Sequence, residues 1–122
     1  MGVSQPLPLG RRLSAARQAE VVDRNRLRHV RDSTRLDIRR HVQQAFATAL
    51  YWQRVTQTRA EDVQIAANGV DVARARLEAG DAIPAEVSQA EIEHHRAQLD
   101  LESTRSRQQQ ALEALAVVVM SM

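Results

Sequence analysis

The sequence predicts an all-α fold, a long antiparallel coiled-coil helical hairpin with a short extended N-terminal segment. Three observations carry that reading. Residues 11–79 contain no proline and one glycine, Gly69, so nothing there forces a helix to stop. Small and apolar residues recur at seven-residue steps, first before residue 80 and again after it. Between the two runs, Ala79-Gly80-Asp81-Ala82-Ile83-Pro84 places a glycine past the last periodic residue and a proline at the next start.

Taken in order, the elements justify themselves. Residues 1–10 hold Pro6 and Pro8 in the apolar stretch Val3 to Leu9, which favours extended backbone and predicts a strand-like lead. The first helix then runs over 11–79. Its seam is Val42, Ala49, Thr56, Val63, Val70 and Leu77, alternating with Ala45, Trp52, Arg59, Ala66 and Ala73. The helix is expected to continue through Asn68-Gly69, with closer neighbour packing there, a local break being the alternative. Residues 80–84 form the tip loop. The second helix, 85–119, repeats the phase as Val87, His94, Leu101, Gln108 and Leu115, with Ala90, Ala97, Thr104, Ala111 and Val118 between. Matching seams on either side of a short loop zip antiparallel.

Composition limits what this hairpin can be. A chain of 122 residues is one module, and with 2% aromatic residues each buried position contributes little area. Apolar residues off the first seam (Phe46, Leu50, Ile92, Leu99, Leu112) point to packing on more than one side. The absence of cysteine removes disulfides, thiolate zinc sites and cysteine nucleophiles. No apolar run approaches the roughly 20 residues of a spanning helix, and no signal peptide is expected in this chain. No paired carboxylates, phosphate loop or nucleophile constellation stands out, which argues against an enzyme.

Charge is unevenly placed. Residues 1–40 carry ten arginines against four acids, +6, and residues 41–122 carry seven against eleven, −4. Every cation is arginine, which reads as base composition of the genome rather than chemistry. Arg24, Arg28, Arg31, Arg35 and Arg39 share a helical face, the pattern of an anion-binding surface. Asp23, Asp32 and Asp37 are interleaved, however, so Arg28–Asp32 and Asp32–Arg35 can pair along the helix, and no nucleic-acid partner is expected. His94 and His95 are adjacent and about 100° apart on a helix, which gives no metal site; His29 and His41 read as solvated. Tyr51 and Trp52 read as packing residues.

The residues around the break carry a family resemblance. Arg76-Leu77-Glu78-Ala79-Gly80-Asp81, followed by Pro84, Glu86-Val87, Ala90, Ala97 and Leu101, resembles the periplasmic hairpin of TolC-type outer membrane efflux proteins. There an R-[LVY]-x-x-G ending precedes a short loop and a [DE]-V-x-x-A-x-x-x-L-x-x-A-x-x-x-L helix; His94 stands at the first of those leucines. The opening Val3-Ser4-Gln5-Pro6-Leu7-Pro8-Leu9-Gly10-Arg11-Arg12 is similar to the SQPLELGG-[KR]-R segment that leads from barrel strand into helix in the cobalt–zinc–cadmium resistance branch. The resemblance spans residues 3–118.

What the resemblance implies is a passive duct without cofactor or covalent chemistry. Members of the family are several-fold longer, carry two such hairpins and form a homo-trimer with a barrel and a tunnel, so this chain reads as a fragment covering the first-repeat hairpin. The closing Val117 to Met122 departs from the family's L-x-x-L-L-G ending. Export of metal ions or small toxic compounds is tripartite, through an inner-membrane pump and a periplasmic adaptor (membrane fusion protein). Location is the outer membrane and periplasm for the full-length protein. The adaptor-docking tip maps to Arg76, Leu77, Gly80, Asp81, Ala82, Ile83 and Pro84, with Ile83 standing where a helix-capping serine is common. The competing class is a free-standing soluble coiled-coil interaction protein or an adaptor hairpin, for which the apolar Val3 to Leu9 lead has no use.

Overall fold

The computed structural model describes residues 7–122, with side chains described from residue 10 onward. It contains two helices, α1 (Leu7–Glu78, 72 residues) and α2 (Pro84–Met120, 37 residues), and among the described residues there is no strand. The fold is all-α, as the periodicity predicts. The chain divides into two units, Met1–Arg40 and His41–Met122, with α1 contributing to both.

The extended lead expected over 1–10 is corrected for residues 7–10, which are already helical; residues 1–6 of that segment lie outside the described residues. The reason is local. A proline at the second position of a helix lacks an amide hydrogen that would have no intrahelical acceptor there, and its fixed φ suits the helix. The two prolines therefore signal a helix start as well as they signal extension.

In the second unit the α1 segment from His41 and the whole of α2 pair antiparallel. Trp52 meets Arg107, Arg74 meets Glu91 and Arg76 meets Glu86, partner numbers falling as α1 numbers rise. The ten predicted seam positions of α2, from Val87 to Val118, are all buried or half-buried. On α1 the predicted positions are likewise withdrawn from solvent, with one correction: Arg59 is exposed and turns to Asp62 at 3.3 Å. A guanidinium loses hydration on entering the seam, so it stays at the edge, in a groove it shares with Asp62 and with Glu93 and Asp100 of α2.

Small residues make this seam thin. The buried residues are Ala49, Val70, Leu101, Thr104 and Ala111, and no described side chain is fully enclosed. Thr104 stays satisfied by donating its hydroxyl to the Leu101 carbonyl at 2.9 Å. Trp52 fills the wider space near the middle, edge-on to Tyr51 with 5.1 Å between centroids, while the Arg107 guanidinium lies 5.1 Å from its ring. Phe46, Leu50 and Leu112 leave the seam and line a groove of about 250 Å³ with Ala49, Gln53, Gln108 and Leu115. Ile92 and Leu99 also remain exposed.

Helix α1 continues through Asn68-Gly69. A Cβ at Gly69 would meet nothing within 4 Å, so among the described residues no close neighbour packs on that glycine. In the first unit the described side chains are exposed except Ile38, which is half-buried.

Candidate functional site

The tip is built by the last turn of α1, five connecting residues and the first turn of α2. Helix α1 ends in a Schellman arrangement: the Asp81 amide donates to the Arg76 carbonyl at 2.8 Å and the Gly80 amide to the Leu77 carbonyl at 3.1 Å. That closure needs a left-handed residue, and Gly80 supplies it with φ of +79°, the one positive value among the described residues.

Beyond the turn, Ile83 occupies the N-cap of α2 in extended conformation, with φ of −99° and ψ of 156°. It offers no side-chain acceptor, so the first amides of α2 lack the bond that a serine would provide. Pro84 follows at the first helical position, where its missing N–H removes one of the orphan donors. The Glu86 amide donates to the Ile83 carbonyl at 3.0 Å, and the Glu86 carboxylate sits in the first turn of α2, where the helix dipole favours an anion.

Arg76 joins the two sides. Its Nη2 donates to the Asp81 carbonyl at 3.1 Å and its Nη1 lies 3.5 Å from Glu86 Oε2. One turn away, Arg74 Nη2 donates to Glu91 Oε1 at 3.0 Å. These side chains are about half exposed, so each pair contributes only roughly 0.2–1 kcal/mol. Both pairs bridge the end of α1 and the start of α2 on either side of the loop.

All seven residues singled out from the sequence thus fall within one small region. Leu77 and Ala82 are half-buried beneath the turn. Gly80, Asp81 and Pro84 are exposed, and Ile83 presents an apolar side chain 61% accessible. The geometry adds Glu86 and the Arg74–Glu91 pair, which sequence reasoning missed as parts of the site. Their signal was opposite charges on the two flanks of a five-residue loop, readable only once the loop conformation sets the register.

Elsewhere the charged side chains Arg59, Asp62, Glu93, Arg96 and Asp100 border a groove of about 220 Å³ beside Ala97. His94 is half-buried in the seam, while His95 is exposed. Among the described residues no helix is long and apolar enough to cross a membrane.

A thin antiparallel seam, apolar side chains left on outer faces and a hydrogen-bonded tip define a class of helical hairpin that keeps apolar surface at its sides and at its end. The sequence agrees with that class: the chain belongs to the outer membrane efflux protein family, whose model matches residues 1–119. Comparison with curated proteins gave no match, and neither did comparison with solved structures. The family is one of outer membrane efflux channels, so the hairpin is a channel component.

Proposed function

We propose that this hairpin forms part of the periplasmic tunnel wall of a trimeric outer membrane efflux duct, and that its tip docks on the helical hairpin of a periplasmic adaptor fed by an inner-membrane pump. The observation that carries the docking is the tip itself. A loop closed by Gly80, stapled by Arg76 and displaying Ile83 beside the Asp81 carboxylate loses little conformational entropy when a partner seats on it. The remaining exposed apolar side chains, Phe46, Ile92 and Leu99 among them, suit lateral packing against further wall helices.

A photo-crosslinking residue placed at Ile83, with a shaft control at Val72, tests this in the source cells. Adducts to a periplasmic adaptor from Ile83 and not from Val72 are expected. Adducts confined to cytosolic proteins, or equal adaptor capture from both positions, would overturn the docking. Gly80→Val should abolish the adaptor adduct while circular dichroism still reports a helical chain. The proposed cargo is metal ions, with small toxic compounds as the alternative, because the Ser4 to Arg12 segment is similar to the cobalt–zinc–cadmium branch. Deleting the gene should then sensitise cells to those three metals; sensitivity to detergents alone would refute the assignment.

A further inference from the structure

The arginines of the first unit play no part in the tip or the seam, and their spacing points to a partner. On a helix of 3.6 residues per turn, Arg17, Arg24, Arg28, Arg31, Arg35 and Arg39 fall within an arc of about 80°. All six are exposed, and among the described residues none lies in an ion pair; the pairs formed are Arg59–Asp62, Arg74–Glu91 and Arg76–Glu86. The internal neutralisation available through Asp32 is therefore not taken up. Asp23 and Asp37 project well away from the arc, while Glu20, four residues before Arg24, lies at its edge and among the described residues joins no ion pair either.

Counting back by sevens from Val42 gives Arg35, Arg28 and Val21, and from Ala45 gives Ile38, Arg31, Arg24 and Arg17. The stripe thus occupies the heptad positions that face a neighbouring helix in a coiled coil, with arginine in place of most apolar residues. Val21, Leu27 and Leu13 lie in or beside the same arc and are more than half exposed. We propose that this face of α1 docks an acidic helix, one that carries carboxylates at seven-residue steps opposite the arginines and small apolar residues between them.

A helix suits the stripe better than the other anions. Arginine forks recognise carboxylates bidentately, and the interleaved apolar residues find complementary contacts on a helix. A nucleic acid would meet no stacking side chain here, since the aromatic residues all lie at positions 46–52.

The test uses the whole chain and two labelled helical peptides of identical composition, one with glutamates at the two seam positions of each heptad and one with them distributed around the helix. Fluorescence anisotropy at low salt should show about tenfold tighter binding of the patterned peptide, with the difference shrinking as salt rises. The variant R24E/R28E/R31E/R35E, with unchanged helicity, should lose that preference and gain one for a lysine-patterned peptide. Equal binding of both glutamate peptides, or tighter binding of a short DNA duplex or of phosphatidylglycerol vesicles, would overturn the proposal, as would a variant that keeps the preference.

Discussion

Gly80 and Gly69 have equally open surroundings, since a Cβ at either would touch nothing within 4 Å, yet the same substitution should act on them with opposite signs. Gly80→Ala places a side chain on a left-handed backbone and should cost about 1–2 kcal/mol. Gly69→Ala occupies a helix interior and should add about 0.8–1 kcal/mol through propensity alone. Thermal unfolding followed by circular dichroism should show the melting temperature falling for the first and rising for the second. A rise for both would mean that the tip does not need its left-handed residue. Ile83→Ser supplies the missing N-cap acceptor and should stabilise the chain by about 1 kcal/mol. It also removes the exposed apolar contact, so adaptor capture by a photo-crosslinking residue placed at Asp81 should weaken as stability rises. That divergence separates docking from folding, because a mutation acting only through stability would move both the same way.

Within the elements, Leu101 is the largest side chain the seam buries, at 8% exposure, among alanine, valine and threonine. Leu101→Ala should therefore cost about 2–4 kcal/mol, whereas Leu99→Ala, on an outer face of the same helix, should change stability by less than about 0.5 kcal/mol in the isolated chain. Similar losses at both positions in urea denaturation would show that the outer face is covered too. The seam was legible in the sequence because a seven-residue repeat survives substitution by any small residue, and the turn because glycine and proline have few other uses in that order. Arg59 was misplaced by following the repeat past the point where a charge prefers water. Residues 7–10 of the N-terminal lead were misplaced because proline is compatible with both an extended segment and the first turn of a helix. Neither Glu86 nor Glu91 could be read as a partner of the arginines across the loop, since their pairing depends on a register that the closed turn establishes.

Across the whole molecule, the two units differ in what holds their helix. Residues 41–78 bury one face against α2, while the described side chains of the first unit are exposed apart from half-buried Ile38. Isolated helices in water are marginal, because each turn must be held by propensity and side-chain pairs alone. The arginines of the first unit add repulsion, and among the described residues no ion pair offsets it. Amide hydrogens over residues 13–36 should accordingly exchange much faster than those over residues 49–70, by at least about a hundredfold, which mass spectrometry of peptic fragments resolves. The acidic patterned peptide should slow exchange over 13–36 and leave 49–70 unchanged, since burial on the stripe supplies what that segment lacks. Uniform protection along α1 in the chain alone would show that the first unit already has a partner, and would move the search for it to self-association.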